Sequence, residues 1–110
     1  MSLINISKEY FTAFSNKDID QLAKMFDENV SLKDWDVQAE GRSAVLEVNQ
    51  NIFRSVKSIE VKPLKLYHDG HTVIAELNID INRGQENLSV VDVIEFSDTH
   101  LITHIRAYKG

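Results

Sequence analysis

The sequence predicts a small α+β protein in which helices cover one face of a curved antiparallel sheet. Apolar residues recur at helical spacing through the first half of the chain, and after Ser55 the period changes from 3.6 to 2 and stays there. Turn residues at Asp69-Gly70 and Arg83-Gly84 separate consecutive segments of the second half, as expected for strands joined by hairpins. Helices that precede a meander are typical of a bent sheet covered on one side.

Three helices are predicted before the meander. The first spans residues 4–15 and has an apolar stripe on one face. The second begins at Asp18, which forms a capping-box pattern with Gln21. The third follows a polar loop and spans residues 44–55, with Ser43 as its N-cap.

About five strands are predicted. The first, residues 30–34, lies between the second and third helices and alternates apolar with polar side chains. Pro63 indicates an edge strand or a bulge at the start of the meander. The four strands of the meander lie near residues 59–67, 72–81, 87–96 and 101–108.

Composition excludes several classes of protein. With 110 residues and 43% hydrophobic content, residues 1–110 are expected to form one domain with its own core. The absence of cysteine excludes disulfides and thiolate chemistry, and the net charge of −5 argues against nucleic acid as a partner. No apolar run reaches the length of a membrane span and no export signal is predicted, so a cytoplasmic location is the default expectation.

Polar residues on apolar faces are the candidate functional residues. Strand alternation places Asp92 on the same side as Val90 and Ile94, which is the expected core side. A carboxylate that has lost its water there has a raised pKa and tends to keep its proton. The same alternation turns Asp34 inward at the end of its strand, and Tyr10 lies in the apolar stripe of the first helix.

Each of these residues has a structural alternative. Asp34 is equally well explained as a turn residue that accepts hydrogen bonds from backbone amides. A one-residue bulge would turn Asp92 outward and Val91 and Val93 inward. Tyr10 is independently explained as a core aromatic whose hydroxyl group has a partner.

The chain resembles a known family at these residues. The segments are Tyr10 to Trp35, Gly41-Arg42-Ser43-Ala44-Val45, Val91 to Phe96, and Ile102 to Tyr108. They resemble the SnoaL-like and ketosteroid isomerase-like proteins of the nuclear transport factor 2-like superfamily. The resemblance implies a cone: a strongly curved sheet wrapped around three helices, with a pocket at the open end and homodimers formed through the outer face of the sheet.

The resemblance also implies roles for individual residues. Tyr10 matches the oxyanion-hole tyrosine of ketosteroid isomerases, Asp34 the general base, and Asp92 the protonated oxyanion-hole aspartate. Trp35 stands where a proline would be expected after the base. Beside these three, the expected pocket residues are Phe14, Leu32, Trp35, Phe53, Val90, Ile94 and His104.

Three hypotheses about function stay open. The first is a cofactor-independent isomerase that shifts a proton next to the carbonyl group of a small apolar ligand. The second is a non-catalytic module that binds a small ligand or another protein, and the third is polyketide cyclase-type aldol chemistry. No metal site is predicted, because His68 and His71 flank an exposed turn without a third ligand.

Overall fold

The computed structural model describes residues 2–110, in which three helices pack against a curved six-stranded sheet that does not close. The helices are α1 (Leu3–Ser15), α2 (Ile19–Met25) and α3 (Arg42–Ser55). The strands are β1 (Phe26–Lys33), β2 (Gln38–Glu40), β3 (Ile59–Asp69), β4 (Thr72–Ile81), β5 (Glu86–Phe96) and β6 (Ile102–Lys109). Their order across the sheet is β2-β1-β6-β5-β4-β3, in which only β1 and β6 pair parallel. The predicted α+β class and the four-stranded antiparallel meander are thus confirmed.

The helices start where local side chains satisfy their free amide groups, with one exception. The Asp18 side chain accepts a hydrogen bond from the Gln21 backbone N–H at 3.2 Å, which confirms the predicted start of α2. The predicted start of α3 at Ser43 is wrong. The N-cap is Gly41, with φ +91°, a conformation that glycine adopts without strain, and no side chain caps this helix.

The short strand β2 was not predicted. Its three residues lie where the sequence suggested a loop, and they pair antiparallel with the end of β1, Ser31 opposite Glu40. So short a polar segment has no periodicity to distinguish it from a loop, and its strand conformation depends on the neighbouring strand.

The register shifts at two places in the four-stranded meander, and at a third place where β1 pairs with β6. The register of β3 against β4 shifts between Pro63 and Lys65, which confirms the bulge predicted at this edge strand. A second shift lies between Glu95 and Phe96, where β5 pairs with β6. There Glu95 opposes His104 whereas Phe96 opposes Ile102, so β6 carries one extra residue.

Ser15, the last residue of α1, connects this helix to the sheet. The Ser15 hydroxyl group donates to the Phe11 carbonyl at 2.8 Å and accepts from the Val61 backbone N–H at 2.8 Å, which joins α1 to β3.

None of the helices within residues 2–110 is long and apolar enough to span a bilayer. The space that the helices leave above the inner face of the sheet is the cavity described next.

Candidate functional site

A cavity of about 280 Å³ lies between the helices and the inner face of the sheet. This volume is near the lower end of the range of about 300–1,000 Å³ that small-molecule pockets occupy. The wall is mostly aliphatic and aromatic, and its polar side chains are few. The lining residues are Tyr10, Phe11, Phe14, Leu32, Asp34, Trp35, Asp36, Val37, Asn49, Ile52, Ser55, Val56, Ile59, Val61, Leu77, Ile79, Ile81, Leu88, Val90, Asp92, Ile105 and Ala107.

Asp92 belongs to the inner face of β5 and lies between two alanines of the neighbouring strands. Its cross-strand partners are Ala75 on β4 and Ala107 on β6. The side chain is 8% exposed, and burial, with a smaller contribution from the negative charge of Asp34, raises the pKa of Asp92 to about 7. Below that pH the carboxyl group is protonated and is a hydrogen-bond donor facing the cavity.

Tyr10 lies on the cavity side of α1 in a group of aromatic rings. Its ring centroid is 5.5 Å from that of Phe11 and 6.1 Å from those of Phe14 and Phe26. Burial of the phenol, and then the charge of Asp92, raise the pKa of Tyr10 well above its ordinary value. The phenol therefore stays protonated and is a second donor in the cavity wall.

Asp34 follows the last residue of β1 and forms a tight turn at the cavity mouth. Its Oδ1 atom accepts hydrogen bonds from the backbone N–H groups of Asp36 and Val37, both at 2.7 Å. The turn-residue explanation of Asp34 is therefore correct as far as Oδ1 is concerned. The second carboxylate oxygen, Oδ2, takes no part in these two bonds, so the same side chain has acceptor capacity for a bound molecule.

Of the other expected pocket residues, four line the cavity, two lie in the core, and His104 lies elsewhere. Phe14, Leu32, Trp35 and Val90 line the cavity. Phe53 and Ile94 do not: both are buried in the core, with the ring of Phe53 packed 4.8 Å from that of Phe14, centroid to centroid.

The placement of His104 in the pocket is wrong. Because of the extra residue in β6, the inward positions after Ile102 are Ile105 and Ala107, and His104 is exposed on the outer face. Its Nδ1 atom lies 3.1 Å from the Thr103 hydroxyl oxygen. Simple alternation through the bulge had turned this side chain to the wrong side.

Asn49 lines the cavity but was not among the expected pocket residues. It lies on the buried stripe of α3, four residues from both Val45 and Phe53. The signal that would have found it is the one used for Asp92, a polar residue at the spacing of an apolar face.

No group of three or more metal-ligating side chains exists within residues 2–110. The two histidines of the β3–β4 turn have other contacts: His68 Nε2 lies 2.8 Å from the Gly70 carbonyl oxygen, and His71 Nε2 lies 2.9 Å from Asp98.

Comparison with known proteins places this geometry in a family. A family model described as the SnoaL-like domain matches residues 7–105, which include Tyr10, Asp34 and Asp92. The chain belongs to the SnoaL-like family. Recognition of the family from sequence is thus confirmed, and a search of the curated proteins finds no match.

Solved structures show that the fold of this SnoaL-like chain is shared widely. A candidate SnoaL-like polyketide cyclase from Shewanella denitrificans superposes with TM-score 0.87 at 15% identity, over 98% of this chain and 90% of that one. A candidate ketosteroid isomerase from Kribbella flavida gives TM-score 0.83 at 19% identity, over 96% and 76%. An epoxide hydrolase from M. tuberculosis gives 0.83 at 21% identity, over 98% and 82%. These likenesses establish a nuclear transport factor 2-like fold, whereas the reactions differ among the neighbours.

Proposed function

We propose that this SnoaL-like chain binds a small apolar carbonyl compound and moves a proton on the carbon next to the carbonyl group. The observation that supports the proposal is an apolar cavity that Tyr10, Asp34 and Asp92 line together. Two of these groups are donors at and below neutral pH, and the third has a free acceptor oxygen at the mouth.

The proposed mechanism uses these three groups without a cofactor. The carbonyl oxygen of the substrate accepts hydrogen bonds from the Tyr10 hydroxyl and the protonated Asp92 carboxyl. Asp34 Oδ2 takes a proton from the adjacent carbon, and the electron pair of that C–H bond forms the enolate. Where the substrate is a β,γ-unsaturated carbonyl compound, the enolate is a dienolate, and the Asp34 carboxylic acid returns the proton to its γ carbon, which moves the C=C double bond into conjugation with the carbonyl group.

The two donors act mainly on the transition state. Negative charge develops on the carbonyl oxygen as the proton leaves, and donors held in place within an apolar wall need no rearrangement to stabilise it. Removal of one such donor costs about 3 kcal/mol in other enzymes, or about a hundredfold in rate. A carboxylic acid kept neutral by an apolar site is the same device that ketosteroid isomerase uses.

Ligand binding without chemistry is the second candidate function. The observation that favours it is the Asp34 turn, which already accounts for that side chain by two short hydrogen bonds to backbone amides. Aldol chemistry of the polyketide cyclase type would use the same acid and base on a larger substrate, and the cavity volume of about 280 Å³ favours a small one.

Exchange of carbon-bound protons for deuterium separates the two candidates. The test substrate is 2-tetralone, whose C1 protons are acidified by the carbonyl group, and the reaction in D₂O is followed by proton NMR. We expect the wild-type protein to accelerate the exchange and Asp34→Asn to abolish the acceleration. Tyr10→Phe and Asp92→Asn are expected to slow it, the former by about a hundredfold.

The controls are chosen so that each outcome is informative. Asp34→Asn keeps an oxygen for the Asp36 and Val37 amides, so binding of 2-naphthol, an enol analogue, is expected to survive. His104→Ala alters an exposed residue of the outer face and is expected to leave the exchange unchanged. If the wild-type protein binds 2-naphthol without accelerating exchange, the non-catalytic function is correct. If Asp34→Asn keeps the acceleration, Asp34 is not the base.

The outer face of the sheet is a proposed homodimer interface. Val91 and Val93 point away from the cavity, opposite in direction to Asp92, and both are only half-buried. Cross-strand pairing places Ile74 beside Val93 and Tyr108 beside Val91, so these side chains form a continuous surface. A second copy of the chain can cover such a surface by two-fold symmetry.

A further inference from the structure

The side-chain amide of Asn49 is a buried polar group of the cavity wall that the proposed mechanism does not use. Asn49 is 3% exposed and lines the cavity from α3. Within residues 2–110, its Nδ2 is the buried side-chain nitrogen or oxygen that has no hydrogen-bond partner. Because a buried donor without a partner costs stability, its presence in an otherwise apolar helix face needs an explanation.

Two serines of the helices show how the protein treats polar groups that have only a structural role. The Ser7 hydroxyl, fully buried in α1, donates to the Leu3 carbonyl at 2.9 Å. The Ser55 hydroxyl, on the cavity side of α3, donates to the Ile52 carbonyl at 2.7 Å. Both are satisfied by the preceding turn of their own helix. The Asn49 side-chain N–H group has no such partner, although Asn49 lies on the same helix as Ser55.

We propose that Asn49 is a ligand-binding residue whose amide forms a hydrogen bond with a second polar group of the bound molecule. The inference rests on the proposed function, in which the first oxygen of that molecule lies at Tyr10 and Asp92. The part of the wall that α3 and Val56, directly after it, contribute is apolar apart from Asn49 and Ser55. The ligand class is therefore an apolar molecule with two oxygen functions, a carbonyl or enol oxygen and a second hydroxyl, carbonyl or ether oxygen.

The test compares naphthols that differ by one hydroxyl group. Isothermal titration with 2-naphthol, and with 1,6-, 2,6- and 2,7-dihydroxynaphthalene, measures whether an added oxygen on the far ring improves binding. We expect the best dihydroxynaphthalene to bind the wild-type protein about three- to tenfold more tightly than 2-naphthol, the gain of one net hydrogen bond. In Asn49→Leu, which keeps the branched shape of the side chain but has no hydrogen-bonding group, this preference is expected to disappear while the affinity for 2-naphthol stays the same.

Ser55→Ala is the matched control. It removes another polar group from the cavity side of α3, but one that already has a partner, so the preference for the dihydroxynaphthalene is expected to persist. Asn49→Ser serves if Asn49→Leu does not fold, because the shorter hydroxyl cannot reproduce the amide. An unchanged preference in the Asn49 variant overturns the proposal. The affinity of the wild-type protein for 2-naphthol tests the proposed function, and the ratio of affinities tests Asn49, so the two failures are distinguishable.

The thermal stability of the ligand-free protein tests the same inference without any ligand. Replacement of an unpartnered buried amide by an apolar side chain of the same branched shape, at a position that faces a cavity, removes a desolvation penalty. Asn49→Leu is therefore expected to have the same Tm as the wild-type protein or a higher one, which is typical of a residue kept for function. A lower Tm in both Asn49→Leu and Asn49→Ser would show that the protein itself satisfies the amide, and would overturn the proposal.

Discussion

At the scale of single residues, the chemistry of the cavity depends on where individual polar groups lose water. Asp92 is buried beside two alanines and has a pKa of about 7, whereas Asp34 lies in a turn and accepts two backbone hydrogen bonds. Two aspartates that face one cavity are thus given different environments. Such a difference is what an acid and a base in one site require.

The protonation of Asp92 predicts how stability depends on pH. Because the pKa is about 7 in the folded protein against an ordinary value of 3.8, the folded state holds a proton that the unfolded state releases between about pH 4 and 7. Burial of Asp92 therefore costs little below pH 4, and the cost grows as pH rises to 7. Asp92→Asn removes this cost.

We expect Asp92→Asn to match the wild-type protein in free energy of unfolding near pH 4 and to exceed it by up to about 4 kcal/mol at pH 8, since one pKa unit corresponds to ~1.4 kcal/mol. Urea unfolding over this pH range measures the difference. Glu9→Gln, an exposed change on α1 that alters the net charge equally, is expected to show a flat difference. A pH-independent difference for Asp92→Asn would mean that Asp92 ionises normally.

At the scale of secondary-structure elements, Lys17 joins the segment after α1 to the end of α3. Its ammonium group donates to the carbonyl oxygens of Phe53, Val56 and Lys57 at 2.9, 2.8 and 3.3 Å. These carbonyls at the C-terminus of α3 lack partners within the helix, and the positive charge also complements the helix dipole. Lys17 itself has φ +55°, a conformation that costs a lysine about 1–2 kcal/mol.

We therefore expect Lys17→Met to lower the free energy of unfolding by about 1–3 kcal/mol, because the strained backbone stays and the charged donor is lost. Chemical denaturation measures the loss. Lys8→Met, an exposed lysine of α1, is the control and is expected to change stability by less than about 0.5 kcal/mol. Equal effects of the two substitutions would show that the contacts of Lys17 contribute nothing.

At the scale of the whole molecule, the sheet has two different faces. The inner face and the helices enclose the cavity, which Tyr10, Asp34 and Asp92 line. The outer face carries Ile74, Val91 and Val93 together with charged residues that are already paired, such as Arg106 with Glu95. The face proposed for dimerisation is therefore separate from the proposed ligand site.

This separation predicts that assembly and ligand binding respond to different substitutions. Val93→Lys places a charge in the centre of the proposed interface and is expected to convert a dimer into a monomer, as measured by sedimentation velocity at several concentrations. Its affinity for 2-naphthol is expected to stay within about twofold of the wild-type value. A wild-type protein that sediments as a monomer at every concentration would contradict the proposed interface.

Much of this molecule follows from local patterns in the sequence. Alternation through β5 correctly turned Asp92 inward, because β5 is regular over the residues involved and one face of it is buried. The helical stripe of α1 likewise put Tyr10 inside, and the Asp18 cap gave the start of α2. Periodicity and capping act within one element, so one sequence contains all the information that they require.

Only the tertiary structure decided the features that depend on a partner strand or a neighbouring helix. The extra residue of β6 turns His104 outward. The spacing of three between Ile102 and Ile105 breaks the alternation of β6, but only the pairing with β5 fixes where the extra residue lies. Two other features also depend on the folded structure. The strand conformation of Gln38–Glu40 requires β1 as a hydrogen-bond partner, and the lack of a partner for the Asn49 amide is visible only after the chain has folded. Local patterns determined the inward face of regular elements such as α1 and β5, because periodicity acts within one element. Packing determined the inward face of β6 and which inward residues face a cavity.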